Sequence, residues 1–236
     1  MSSPLSRRSF VRIAGLAGGL SLVDGMRPAA GVSHPAPADA APVDPSPVDG
    51  HDALRLLMAG NRRWMRGRAH HPHQSVHRRR AVATGQAPFA VVFCCIDSRV
   101  PPELVFDRGL GDLFAVRTGA QAVDDVVLGS VEYGPASAGT PLVFVLGHER
   151  CGAVHAAIEA IEEHGGAAPG HLEAVVKALE PAYRAAKGRP GDLADNMVRA
   201  QTRLTVVRLR HDGLLRDTLV VGGRYDLDTG AVELIA

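Results

Sequence analysis

Residues 89–96 read Phe-Ala-Val-Val-Phe-Cys-Cys-Ile, an unbroken apolar run that stops at Asp97-Ser98-Arg99. A short run that is rich in Val and Phe and lacks polar alternation is typical of a strand covered on both faces, as in a parallel sheet. We therefore interpret residues 89–96 as the first strand of the fold.

Three similar runs follow, at residues 113–116, 142–146 and 218–221. Stretches with apolar residues at helical spacing separate or precede them, at residues 52–65, 124–133, 153–163, 171–186 and 192–210. Strands that alternate with helices predict an α/β fold, with a central, mostly parallel β-sheet flanked by helices. In such sheets the functional site lies outside the carboxyl ends of the strands.

The composition limits the classes of function. A chain of 236 residues allows one α/β domain with an appendage. Aromatic residues make up 4% and the formal net charge is +1, so nothing predicts a stacking platform for nucleic acid, a polyanionic partner or stable membrane insertion. Three cysteines, two of them adjacent, are a poor disulfide framework and favour metal ligation or buried thiols.

The amino-terminal region resembles a targeting sequence. Residues 6–12 read Ser-Arg-Arg-Ser-Phe-Val-Arg, a twin-arginine pattern, and a short, weakly apolar run follows at residues 13–23. We interpret residues 1–40 as a twin-arginine signal peptide, residues 41–50 as a flexible Pro- and Asp-rich linker, and residues 51–236 as the folded domain. This pattern predicts export to the periplasm or the outside of the cell.

Reactive side chains follow two of the predicted strands. Cys95 lies near the carboxyl end of the first strand, and the His-x-x-Cys pair His148 and Cys151 begins two residues after the third. Parallel strands deliver these side chains to one edge of the sheet, where a Cys2His set with one open position matches a catalytic zinc site. We expect Gly147 and Gly152 to let the backbone turn tightly around the His-x-x-Cys pair.

Spacing alone leaves other interpretations open. A lone His-x-x-Cys is a weak signal, and a lone buried Cys is usually a small core residue, as we expect for Cys94 on the opposite side of the strand. His155 lies one helical turn after Cys151, where a partly exposed helical histidine is the expected reading. The histidines of residues 70–77 could hold a metal, but we expect a solvated loop and the start of a basic helix there, since no thiol or carboxylate lies among them.

Four motifs resemble the signature of β-class carbonic anhydrases. They are Cys-Ile-Asp-Ser-Arg-Val-Pro-Pro-Glu at 95–103, Gly-Asp-Leu-Phe-Ala-Val-Arg at 111–117, Val-Leu-Gly-His-Glu-Arg-Cys-Gly-Ala-Val at 145–154 and Gly-Gly-Arg-Tyr-Asp-Leu-Asp-Thr-Gly at 222–230. The resemblance extends over about residues 52–236, in the family's order and spacing. It implies one Zn²⁺ per chain and the reversible hydration of CO2 to bicarbonate and a proton by a zinc-bound hydroxide.

The resemblance assigns roles to nine residues. The zinc ligands are Cys95, His148 and Cys151, and Asp97 lies beside the metal where Arg99 holds it. Substrate-binding positions are matched by Gln86, Phe114, Tyr133 and Gly152. In this family Gln86, Phe114 and Tyr133 reach the zinc from a neighbouring subunit, so the resemblance implies a homodimer or a higher homo-oligomer.

The pair Asp97–Arg99 matters most for the implied chemistry. Zinc lowers the pKa of bound water to roughly 7, and a carboxylate that accepts the hydroxide's proton can aim its lone pair at CO2. Arg99 can pair bidentately with Asp97 and keep it ionised and off the metal. If that pair breaks, Asp97 could become the fourth ligand and close the site, which would make a pH-dependent switch. Activity that stayed flat between about pH 6 and 9 would argue against this switch.

The chain departs from the family in one turn and at the end of one predicted helix. Thr118-Gly119-Ala120-Gln121 replaces the usual Asn-Ala-Gly, and both are small-residue turns. Pro135, two residues after Tyr133, is expected to end or kink the preceding helix and shift Tyr133.

Other functions fit the same ligands. A hydrolase of CS2 or COS would keep the fold, and a secreted zinc-binding protein would need only the ligands, whereas the chain retains Asp97, Arg99 and Gln86. A thiol redox protein is disfavoured because the chain has no Cys-x-x-Cys. Twin-arginine transport carries folded proteins, so folding around zinc before export would protect Cys95 and Cys151 from oxidation.

Overall fold

The computed structural model of the protein describes residues 49–236. The predicted signal peptide and all but the last two residues of the predicted linker lie outside this range. The Asp49 carboxylate accepts a hydrogen bond of 2.8 Å from the Asp52 N–H and caps the first helix, which starts at Gly50. The helix thus begins one residue before the predicted domain boundary. Within the described range, no helix has the length and apolarity to span a bilayer.

Five strands form one sheet in the order β2-β1-β3-β4-β5. Their bounds are β1 Ala90–Cys95, β2 Leu113–Thr118, β3 Leu142–His148, β4 Leu219–Tyr225 and β5 Val232–Leu234. Every neighbouring pair is parallel except β4 and β5, which are antiparallel. The predicted α/β fold with a mostly parallel sheet is confirmed.

Seven α-helices accompany the sheet in the described residues. They are α1 Gly50–Met65, α2 Val76–Ala81, α3 Pro102–Val105, α4 Asp125–Tyr133, α5 Gly152–Glu163, α6 Leu172–Ala186 and α7 Leu193–Arg210. The five long helices agree with the predicted ranges to within two residues, and aspartates cap α1, α4 and α7 at their amino-terminal ends.

Helices cover both faces of the sheet. Alternate residues of β1 point to opposite sides: Val92 and Cys94 pack in one apolar cluster with α1, whereas Val91 and Phe93 pack in another with α4 and α7. A third cluster joins α5, α6 and α7, and it includes Cys95 and Cys151. Two of the candidate ligands, Cys95 and Cys151, therefore lie on the side of the sheet away from α1.

Three details differ from the prediction. β3 runs on through His148, which pairs with Tyr225 of β4, so His148 belongs to the strand and does not follow it. The strands β1 and β3 are buried on both faces, as predicted, but β2 is an edge strand that is only partly buried. The short elements α3 and β5 were not predicted, because three or four residues are too few to show a periodicity.

The regular helix α4 ends just before Pro135, as predicted from the sequence. The regular helix stops at Tyr133, and one π turn, Gly134–Ala138, follows before the chain reaches β3. The Tyr133 side chain remains 57% exposed. The ring lies edge-on to Phe114 of β2, with 5.8 Å between the ring centroids.

Candidate metal centre

The sheet register brings the predicted ligands together. β1 and β3 are parallel neighbours in which Cys94 is paired with Leu146, so the carboxyl ends of both strands reach the same edge. Cys95 is the last residue of β1 and His148 the last of β3. Cys151 then occupies the cap position of α5. All three residues are buried, with at most 3% of their surface exposed.

The geometry of the three donors fits one tetrahedral zinc ion. Their ligand atoms lie within 4.8 Å of one another. The Sγ atoms of Cys95 and Cys151 are 3.8 Å apart. Two sulfurs that each bind one tetrahedral Zn²⁺ at about 2.3 Å are expected to lie about 3.8 Å apart. The residues present therefore suit a zinc ion of the Cys2His type.

The histidine ring is oriented as a ligand. Nδ1 of His148 lies 2.9 Å from the carbonyl oxygen of Glu149, and since a carbonyl only accepts, Nδ1 donates and Nε2 carries the lone pair. Within residues 49–236, the buried Nε2 atom has no hydrogen-bond partner. A buried acceptor is normally satisfied, so an unpartnered Nε2 beside two thiols favours coordination to a metal.

The two thiols are electrostatically coupled. The contact with Cys151 lowers the pKa of Cys95, with help from the Ala120 N–H at 3.4 Å. The same contact raises the pKa of Cys151, because a second negative charge beside the first is unfavourable and the site is buried. One thiolate forms readily and the second needs a cation, which is what a metal dication provides.

Arg99 holds Asp97 beside the triad. Nε and Nη2 of Arg99 donate to the two carboxylate oxygens at 2.9 and 2.7 Å, and the Arg99 N–H donates a third bond of 2.9 Å. This pairing lowers the pKa of Asp97 to about 2 and raises that of Arg99. The Asp97 carboxylate is therefore ionised at neutral pH, with Oδ2 3.9 Å from Nε2 of His148.

Two further arginines shape this loop. Arg117 donates to the carbonyl oxygens of Cys95 at 2.9 Å and Asp97 at 2.7 Å. Arg150 has a left-handed backbone, with φ of 49°, and its carbonyl oxygen accepts a bond of 3.1 Å from Arg99. Neither residue was predicted to have a role at the metal site, although both lie inside matched motifs.

The prediction that Gly147 and Gly152 form the tight turn around the His-x-x-Cys pair is wrong. Neither Gly147 nor Gly152 has a positive φ, and the tight turn falls on Arg150. A Cβ on Gly147 would lie 2.4 Å from Oγ1 of Thr202, so Gly147 allows α7 to approach β3. Gly152 is the exposed first residue of α5, with open space where a Cβ would be.

The other predicted substrate residues lie apart from the triad of the same chain. The exposed Gln86 lines a cavity of about 720 Å³, and Phe114 and Tyr133 line another of about 400 Å³. Neither cavity is lined by a candidate ligand. Phe114 precedes Thr118, the partner of Cys95, by four residues, or about 13 Å of strand.

Three other candidates behave as expected from the sequence. Cys94 is fully buried in the α1 cluster, and burial raises its pKa to about 12. His155 is exposed on α5. In the histidine-rich loop, His73 is tied to Asp112 at 2.7 Å and the loop leads into the short basic helix α2.

Sequence comparison identifies the family. The family model described as Carbonic anhydrase matches residues 90–232, which include all three candidate ligands, Asp97 and Arg99. Carbonic anhydrase 2 of Mycobacterium tuberculosis is 38% identical over 189 residues, covering 77% of this chain and 91% of that protein. The chain belongs to the carbonic anhydrase family. Carbonic anhydrase of Mycolicibacterium smegmatis has the same identity and coverage.

Solved carbonic anhydrases of the β class have the same fold. A Coccomyxa β-carbonic anhydrase in complex with acetazolamide superimposes with a TM-score of 0.60 at 24% identity, over 77% of this chain and 86% of that chain. One of two tetrameric β-carbonic anhydrases from Sordaria macrospora gives a TM-score of 0.61 at 20% identity, over 78% of this chain and 98% of that chain. The fold is therefore that of the β class.

Proposed function

We propose that this chain catalyses the reversible hydration of CO2 to bicarbonate and a proton at one zinc ion bound by Cys95, His148 and Cys151. The observation that carries the proposal is the position of an ionised carboxylate, Asp97, beside a buried Cys2His donor set. A protein that only stored zinc would need the donors but not the Asp97–Arg99 pair.

Zinc, when bound, supplies a Lewis acid that makes water available as a nucleophile near neutral pH. Asp97 can accept a hydrogen bond from the reacting water and so orient its oxygen towards the carbon of CO2. Arg99 keeps that carboxylate charged and turned in one direction, through its three bonds. Arg117 fixes the backbone on either side of Ile96 by binding the carbonyls of Cys95 and Asp97.

We propose that the working form is a homodimer or a higher homo-oligomer. Phe114 and Tyr133 form an exposed apolar surface with Val126, which is 79% exposed, beside the edge strand β2. Such a surface on an edge strand is typical of a protein interface. The Sordaria macrospora relatives are tetrameric. In the proposed assembly Phe114, Tyr133 and Gln86 line the partner's apolar substrate pocket, and Gly152 directs its N–H towards the site.

We also propose that residues 1–40 direct export through the twin-arginine pathway. The support is the pattern Ser6-Arg7-Arg8-Ser9 followed by a weakly apolar run. Replacing Arg7 and Arg8 by Lys should retain the enzyme in the cytoplasm, as fractionation of cells would show. Recovery of that variant in the periplasm or medium would contradict the proposal.

Stopped-flow measurement of CO2 hydration tests the proposed activity. Zinc-replete protein should accelerate hydration well above the uncatalysed rate, and Asp97→Ala should lose most of that rate while still binding zinc. Hydrolysis of CS2 and COS is measured on the same samples. A protein that turned over CS2 or COS and not CO2, or that bound zinc and turned over none of them, would overturn the proposal.

A further inference from the structure

Two adjacent residues in the turn after β2 adopt a backbone that glycine normally supplies. Ala120 has φ of 49° and Gln121 has φ of 55°, in the 3-10 turn Gly119–Gln121. Both residues are buried, with 1% and 2% exposed. Left-handed backbone is uncommon for residues with a Cβ and persists only where the surroundings hold it.

The turn faces a sulfur of the metal centre. The Ala120 N–H donates a hydrogen bond of 3.4 Å to Sγ of Cys95. The carbonyl of Thr118, just before the turn, accepts a bond of 3.0 Å from the Ile96 N–H. The left-handed conformation therefore positions a backbone donor against one ligand and ties the turn to the end of β1.

The Gln121 side chain holds this turn to the strand that supplies the histidine. Its amide donates a bond of 2.7 Å to the carbonyl oxygen of Leu146, two residues before His148 on β3. The backbone carbonyl of Gln121 accepts a bond of 3.2 Å from the amide of Gln201 on α7. Gln201, itself 6% exposed, also lies 3.5 Å from Oγ1 of Thr205. One buried side chain thus connects the element that touches Cys95 with the strand that delivers His148.

We infer that Gln121 is a positioning residue of the zinc centre, an inference that rests on the proposed function. Its contacts keep the Ala120 N–H on the Cys95 sulfur and fix the turn against β3. Groups of this kind, one step behind the ligands, typically change metal affinity by about 10- to 100-fold when they are removed. Gln201 supports Gln121 from α7.

The test is the rate of zinc release to a chromogenic chelator from the full-length zinc protein. Gln121→Ala should release zinc at least about tenfold faster than the wild type. Asn61→Ala is the matched control, because Asn61 is also a buried amide, 1% exposed, that bonds the carbonyls of Val105 and Gly230 on the α1 side of the sheet. It should lower the denaturation midpoint without changing the rate of release.

A second variant covers the case in which Gln121→Ala does not fold. Gln201→Met keeps a side chain of similar size and removes the amide that donates to the Gln121 carbonyl and contacts Oγ1 of Thr205, so release should accelerate by a smaller factor. The Co²⁺ forms of the folded variants should show a shifted thiolate charge-transfer band, and that of Asn61→Ala an unshifted one. Release rates and bands equal to those of Asn61→Ala would overturn the inference and leave the proposed function intact. A wild type that binds no zinc would overturn both.

Discussion

Arg99 donates three hydrogen bonds to the carboxylate of Asp97, two from its guanidinium and one from its backbone N–H. The same guanidinium reaches the carbonyl of Arg150, so it also links the loop after β1 to the loop after β3. In this arrangement both carboxylate oxygens of Asp97 are bound by the Arg99 guanidinium. The switch predicted from the sequence, in which Asp97 becomes the fourth zinc ligand, requires the Asp97 carboxylate to break its bonds with the Arg99 guanidinium.

Removing the guanidinium should therefore abolish most of the activity. Arg99→Ala is expected to lower kcat/KM for CO2 hydration by about 100-fold, because Asp97 would lose the two guanidinium bonds that keep it charged and in one orientation. Arg99→Lys should be intermediate, since a lysine offers a point charge and no bidentate fork. Arg184→Ala, at an exposed ion pair with Glu180, serves as the control. Activity of Arg99→Ala within threefold of that control would contradict the assigned role.

The adjacent cysteines should differ sharply in metal binding. Cys95→Ser is expected to lose nearly all bound zinc, because it removes one of the two thiolates, whereas Cys94→Ser should keep one zinc per chain. Cys94 points into the α1 cluster, so its replacement should cost about 1–3 kcal/mol of stability through a buried hydroxyl. Metal analysis by atomic emission and urea denaturation give the two readings. Equal zinc contents in the two variants would rule out the proposed ligand set.

Asp107 should make stability depend on pH. Burial alone would raise its pKa, but hydrogen bonds from the His70 and His71 N–H groups and from Arg63 outweigh burial and lower it. A lowered pKa means that Asp107 stabilises the fold above its ordinary pKa of 3.8 and loses this effect as the pH falls through the lower value of the folded state.

The corresponding test compares Asp107→Asn with the wild type. The variant should be about 1–3 kcal/mol less stable at pH 7, and the difference should shrink below about pH 4. Asp228→Asn, at a surface pair with Arg150, is the control and should change stability little at any pH. Urea denaturation from pH 3 to 8 measures the differences. If the difference in unfolding free energy between the wild type and Asp107→Asn stayed constant or grew as the pH fell, this role of Asp107 would be contradicted.

The exposed surface around Val126 should control assembly. Val126→Glu is expected to halve the molecular mass measured by light scattering and to lower CO2 hydration, because Gln86, Phe114 and Tyr133 would no longer reach the partner's site. Leu172→Glu, at another exposed apolar residue (61%) on α6, should leave the mass unchanged. If Val126→Glu kept both its mass and its activity, the proposed interface would be wrong.

Much of the fold follows from the sequence because its signals are local. Apolar runs of four to eight residues and helices with aspartate caps need no tertiary information. The strand β5, by contrast, is a three-residue element stabilised by pairing with β4, which no local pattern reveals. His148 was predicted to follow β3, yet its strand pairing extends to Tyr225, since Gly147 weakens the local strand signal without breaking the ladder.

The residues of the candidate site differ in how far the sequence alone predicts their roles. Cys95, His148 and Cys151 follow from strand ends and ligand chemistry, but Asp97 and Arg99 acquired a role only through the family resemblance. Nothing in the sequence singles out Gln121, since its role depends on a left-handed turn and on partners 25 and 80 residues away along the chain. Such contacts are set by packing and not by spacing.

Zinc K-edge X-ray absorption of the purified protein tests the ligand set most directly. The expected spectrum has two sulfurs at about 2.3 Å and lighter N or O ligands at about 2.0–2.2 Å, from one zinc per chain. Cys151→Ser should lose the metal or lower the sulfur count to one. A first shell with only N and O ligands, with four sulfurs, or with no stoichiometric zinc would contradict the assignment of Cys95, His148 and Cys151.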